Sequence, residues 1–174
     1  MTMGAGSTSF PWHRDFSALL KMKILIVDDE PTNVALLEDM LSEAGYTRFK
    51  STTDSRVVLE TCASFEPDLL LLDLMMPHVD GFTILESLRT RTSDTFLPVI
   101  VLTADINEET KRRALSAGAN DFLVKPLDEV EVLLRIANTL EQRRLHILLD
   151  NQRAAYEEAL RARSLELQAA QSPT

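Results

Sequence analysis

The chain has 174 residues, 45% of them hydrophobic and 26% charged, with 7 Pro and 5 Gly, a composition that fits one folded domain with some extra length and argues against pervasive disorder. Its formal charge of −9 repels phosphate backbones and anionic lipid, which argues against unassisted nucleic-acid binding. A single cysteine, Cys62, excludes an internal disulfide and gives no thiolate metal site, so a reduced, cytoplasmic setting is expected.

Residues 1–20 read as a flexible leader: the opening stretch is rich in Gly, Ser and Thr and has no basic start followed by an apolar run. Short apolar runs then alternate with amphipathic segments, the pattern of a parallel sheet covered by helices on both faces. Ile24-Leu25-Ile26-Val27 ends in Asp28-Asp29-Glu30, and Pro31 opens a helix to about Ala44 that Gly45 closes. A weaker strand near 48–51 precedes a helix over 55–65, and Pro67 separates that helix from Leu69-Leu70-Leu71-Leu72, ending at Asp73. A loop with Pro77 and Gly81 leads to a helix ending near Arg91. Pro98 then introduces Val99-Ile100-Val101-Leu102, ending at Thr103. A helix over 108–117 stops at Gly118, and Asp121-Phe122-Leu123-Val124 is the last strand, with Lys125-Pro126 at its exit. No apolar stretch reaches the roughly 18 residues of a membrane span, so no membrane association is expected.

In an open parallel sheet, ligands bind beyond the carboxyl ends of the strands, and four of these five strands end in groups suited to phosphate or metal chemistry: Asp28 and Asp29, Asp73, Thr103 and Lys125. Three carboxylates in one crevice repel one another unless a divalent cation sits among them, and hard oxygen donors suit Mg²⁺. One carboxylate can then act as a nucleophile toward a phosphoryl group, Lys125 supplies a mobile positive charge, and the Thr103 hydroxyl can donate to a phosphoryl oxygen. Taken singly, Asp28 and Asp29 would be an acidic pair favoured at a helix N-terminus, and Thr103 a capping residue. The combination carries the functional reading. His13, His78 and His146 share no ligand spacing.

Over about 21–140 the sequence resembles the receiver domain of two-component response regulators. The matching motifs are Ile26-Val27-Asp28-Asp29-Glu30, Leu72-Asp73-Leu74-Met75-Met76-Pro77, Asp80-Gly81, Leu102-Thr103-Ala104, Gly118-Ala119 and Lys125-Pro126. The resemblance implies a flavodoxin-like, doubly wound α/β fold with a five-stranded parallel sheet. It makes Asp73 the phosphoacceptor for a sensor histidine kinase or phosphotransfer protein, with Mg²⁺ held by Asp28, Asp29, Asp73 and the main-chain carbonyl of Met75. It also implies a cis peptide bond before Pro126, and a switch in which Thr103 moves toward the phosphoryl group and Phe122 follows. Phe122 reads equally as that switch aromatic or as a permanent core residue.

From Asp128 to about Ala169 there is no Pro or Gly, and helix formers dominate. The first turns of this helix complete a receiver at about 141. Residues 142–174 form an extension whose net charge is +1, against −10 for residues 1–141. Leu149, Tyr156, Leu160 and Leu167 fall on an a/d-like seam interrupted by Arg153 and Arg163, so the extension reads either as a parallel coiled coil joining two copies or as a solvated helix. The stretch Asn138 to His146, followed by Gln152, resembles the linker that joins receivers to HD-GYP cyclic-di-GMP phosphodiesterase domains, whose own motifs are not in these residues. The expected protein is a receiver that is not itself an enzyme and that signals to an output beyond Thr174. The other readings are a single-domain phosphorelay or scaffold module and a hydrolase using the same carboxylates, which would need a substrate cap that the sequence lacks.

Overall fold

Four- and five-residue apolar runs without polar interruption have to be buried on both faces, and every residue of β1 (Ile24–Val27), β3 (Leu69–Asp73) and β4 (Val99–Thr103) is buried. The computed structural model of the chain describes residues 16–91 and 96–172. With β2 (Phe49–Thr52) and β5 (Asp121–Val124) these strands form one parallel sheet in the order β2-β1-β3-β4-β5. The helices are α1 (Pro31–Glu43), α2 (Val58–Phe65), α3 (Gly81–Arg91), α4 (Glu108–Ser116) and α5 (Glu129–Gln171). The doubly wound α/β fold expected from the sequence is the fold observed.

Alternate residues of each strand feed two separate cores. Ile24, Ile26, Leu69, Leu71, Ile100 and Leu102 pack against Leu37 and Leu41 of α1 and Val132, Ile136 and Leu140 of α5. On the other face, Leu25, Val27, Leu70, Leu72, Val99 and Val101 meet Val58 of α2, Leu85 and Leu88 of α3 and Ala114 of α4. Cys62 packs half-buried against this second core, and burial pushes its thiol up to about 11.

Of the expected leader, residues 1–15 lie outside the described residues. Leu19 belongs to the packed chain: it is buried in the first core within a 3₁₀ turn, Leu19–Lys21. The helix expected over 55–65 begins instead as a 3₁₀ turn, Ser55–Val57, before α2. Its first turn is tightened because Asp54 accepts from the Arg56 amide and the Ser55 hydroxyl is committed elsewhere. At the other end of the chain, α5 runs without interruption into the extension, and every residue from Leu148 to Ser172 is exposed.

α3 starts hard against the end of β3. A Cβ added at Gly81 would lie 2.7 Å from the Asp73 carbonyl oxygen and 2.7 Å from Leu74 Cα, backbone atoms that cannot rotate away. Gly81→Ala is therefore expected to destabilise the fold by about 1–3 kcal/mol through overpacking, read as a lower urea midpoint at unchanged slope; a midpoint equal to wild type would show that α3 shifts freely.

Candidate functional site

The register of the two central strands builds the site. Val27 pairs with Leu72, so the next residues, Asp28 and Asp73, leave adjacent strands side by side at the carboxyl edge of the sheet. Asp28 and Asp73 are buried and Asp29 half-buried, and one carboxylate oxygen from each lies within 4.8 Å of the others. Lys125, at the exit of β5, reaches across with Nζ 2.8 Å from Asp28 Oδ2 and 3.5 Å from Asp73 Oδ1. The peptide bond from Lys125 to Pro126 is cis.

The polar partners fix each carboxylate. Asp28 Oδ1 accepts from the Glu30 amide at 3.0 Å and from Asn33 Nδ2 at 3.4 Å, whereas the Lys125 contact to Oδ2 lacks hydrogen-bond geometry and leaves that buried oxygen without a donor. Asp73 Oδ1 accepts from the Met75 amide at 3.2 Å. Burial pushes the Asp73 carboxyl up to about 7; Lys125 opposes this rise and the Asp28 charge adds to it. Three carboxylates facing one ammonium leave buried negative charge uncompensated, and an oxygen short of a donor points into the same crevice. This donor set fits a hard divalent cation such as Mg²⁺.

Thr103 is buried, and its hydroxyl accepts from the Asp105 amide at 3.0 Å, tying it to the loop that leads into α4. Ala104 beside it is exposed. Phe122 lies partly buried against the second core, with Lys111 Nζ of α4 over its ring at 4.8 Å. The Met75 side chain is 71% exposed, so only its backbone belongs to the crevice. The strand ends thus bring together Asp28, Asp29, Asp73 and Lys125, while Thr103 and Phe122 stand on the side facing α4.

Two supporting residues had no signal in the sequence. The buried Ser55 hydroxyl donates to the Pro77 carbonyl at 2.7 Å and accepts from the Val79 amide at 3.1 Å, pinning the loop that follows Asp73. At the opposite end of the sheet, Arg143 of α5 lies 3.5 Å from the Asp68 carboxylate ahead of β3 and donates to the Phe96 carbonyl ahead of β4. Only the folded proximity of distant segments reveals either contact.

The family model described as "Response regulator receiver domain" matches residues 24–137. The chain is 32% identical over 156 residues to the "Probable cyclic di-GMP phosphodiesterase" of Vibrio cholerae, a match covering 90% of this chain and 35% of that protein. It is 38% identical over 117 residues to the response regulator PleD of Caulobacter vibrioides, covering 67% of this chain and 26% of that protein. Among solved structures, the receiver domain of Francisella response regulator 1452 is similar at a TM-score of 0.64 and 28% identity, covering 70% of this chain and 98% of that one. The chain spans about a third or less of the length of these two curated relatives. A match of 156 residues in a chain of 174 necessarily extends into α5 beyond residue 137.

The crowded charges give a stability signature. The folded pKa of Asp73 lies above its ordinary 3.8, so the native state binds the extra proton and metal-free stability rises as pH falls from about 7 toward 4. In EDTA at pH 7.5, Asp73→Asn is expected to stabilise the protein by on the order of 2 kcal/mol, an increment that shrinks at pH 5 and on adding Mg²⁺. Urea unfolding measures it; a less stable variant in EDTA would contradict the charge balance described.

Proposed function

The chain belongs to the response regulator receiver family, and from that premise we propose that Asp73 accepts a phosphoryl group from the phosphohistidine of a sensor histidine kinase or phosphotransfer protein. An Asp73 carboxylate oxygen attacks phosphorus as the P–N bond breaks, the electron pair stays on the departing imidazole, which takes a proton from solvent, and an acyl phosphate forms. Asp28, Asp29, Asp73 and the main-chain carbonyl of Met75 would hold Mg²⁺, which when bound neutralises the carboxylates and the phosphoryl oxygens. Lys125 pairs with one phosphoryl oxygen, a role to which its flexible stem and existing reach to Asp73 suit it.

The Thr103 hydroxyl then moves inward to donate to a phosphoryl oxygen, giving up in exchange the bond it accepts from the Asp105 amide. Because that hydroxyl also holds the loop ahead of α4, the exchange releases the loop, and Phe122 repacks toward the space Thr103 leaves. The altered face comprises that loop, α4 and β5, a local charge event that biases an element with two packings. The state of the site is passed through α5, which also joins two copies of the chain, to an output beyond Thr174. Cyclic-di-GMP turnover is the output best supported, since the Vibrio cholerae relative named for a cyclic di-GMP phosphodiesterase matches this chain into α5.

The observation that carries this reading is the carboxylate trio within 4.8 Å beside Lys125 Nζ. Incubation with Mg²⁺ and a small phosphodonor such as acetyl phosphate is expected to add one phosphoryl group to wild type and none to Asp73→Asn or to wild type in EDTA, read by intact-protein mass; equal labelling of Asp73→Asn would overturn it.

A further inference from the structure

α5 carries an apolar stripe on the side turned away from its own domain. Leu134, Leu145, Tyr156 and Leu167 recur every eleven residues, and Leu149 and Leu160 repeat at the same interval one turn on. All six are exposed, from 47% at Leu134 and Leu145 to 66% at Tyr156. At about 100° per residue, an eleven-residue step returns to within about 20° of its starting direction, so the stripe runs nearly straight along the rod. Ile136, buried in the first core, sits about half a turn away from Leu145. The surface that grips the domain and the stripe therefore lie on opposite sides of one helix.

The a/d-like seam through Leu149, Tyr156, Leu160 and Leu167 cannot be continued toward the domain in steps of seven. Its preceding positions include Thr139 and Val132, both already buried. The eleven-residue register instead passes through exposed Asn138 and Leu134. We infer that the stripe is the contact between two copies of this chain, parallel and in register, with α5 meeting α5 from Leu134 to Leu167 and the two receiver domains on the outside.

The proposal rests on the self-association named above and gives it a geometry. A contact 33 residues long spans about 50 Å, and a swath about 10 Å wide covers about 1,000 Å² over both copies, near the lower limit for a specific interface. Among the described residues every one from Leu148 to Ser172 is exposed, and in proteins most of a helix's stability comes from packing of its apolar face. Acidic Asp150, Glu157 and Glu158 fall off the stripe. Arg153 and Arg163 lie within it, each beside an acid of its own helix, Glu157 at 3.0 Å and Glu166 at 4.0 Å, and a parallel copy offers the same pairs in exchange. An antiparallel arrangement would put the domains at opposite ends and set Leu134 against Leu167 and Leu145 against Tyr156, whereas the parallel one sets each residue against its own copy. Eleven-residue spacing sets a straight or slightly right-handed pair rather than a left-handed coil.

Single cysteines placed in the full chain on a Cys62→Ala background, combined with sedimentation, test this. Sedimentation is expected to give a dimer. Under mild oxidation Leu134→Cys, Leu145→Cys, Tyr156→Cys and Leu167→Cys each form self-disulfides at least about fivefold above Leu165→Cys on the opposite side, since a disulfide demands close Cβ atoms. A monomer would overturn the self-association itself. A dimer that cross-links at Tyr156→Cys but not at Leu134→Cys and Leu145→Cys would overturn only the eleven-residue register. A dimer in which Leu145→Cys pairs with Tyr156→Cys in mixed samples, without self-pairing at either position, would overturn only the parallel arrangement. Phosphorylation of Asp73 is read separately in the same samples by mass, so failure of the contact and failure of the phosphoacceptor reading are told apart.

Discussion

Three carboxylates held around one lysine is the arrangement on which the rest of the molecule depends. Left to themselves, Asp28, Asp29 and Asp73 would separate, because their repulsion is stronger out of bulk water and Lys125 compensates only one charge. What prevents separation is the sheet beneath them. Asp28 and Asp73 are the next residues along paired strands whose every side chain is buried, and moving one carboxylate away would mean pulling an apolar strand out of two cores. The unfavourable charge cluster is thus offset by burial elsewhere, the usual relation between a functional site and its scaffold.

The same strands connect the site to the far end of the domain. β3 ends at Asp73 and β4 at Thr103, while the segments ahead of both meet Arg143 on α5. Just beyond, His146 stacks obliquely on Phe96 with ring centres 5.1 Å apart, and Ile147 packs against the first core. The helix therefore keeps contact with the domain to about residue 147. Its free part starts from a root fixed to the two strands whose opposite ends carry Asp73 and Thr103.

Much of this was legible in the sequence, for a physical reason. A buried parallel strand must be an unbroken apolar run, so the strands announce themselves, and polar residues at their ends can be there only for a cap or a site. Asp28, Asp29, Asp73, Thr103 and Lys125 all stood out in that way. Ser55 and Arg143 did not, because their roles depend on segments 22 and 47 residues away that only the fold brings near. The stripe on α5 was legible in part. Leu149, Tyr156, Leu160 and Leu167 fit a seven-residue reading as well as an eleven-residue one, and the burial of Val132 and Thr139 against the sheet separates the two.

Distance decides how the two ends of the domain can communicate. Asp73 lies five steps along the chain from the Asp68 contact of Arg143, about 17 Å of extended chain, and the extension begins farther still. At that separation two added charges acting through solvent are damped by screening over a length of about 8 Å, which leaves a few tenths of a kcal/mol at most. So small a term cannot reset a helix packed by Val132, Ile136 and Leu140. Under the proposed function, a phosphoryl group on Asp73 would have to act on α5 by displacement: a change of partner at Thr103, a shift of the loop ahead of α4, and a repacking along β4, β5 and the helix that lies across them. The near-neutral extension would be suited to receive such a displacement, because the proposed contact with a second copy is apolar and set by geometry, so that a small rotation of α5 at its root would change which residues of the stripe face each other.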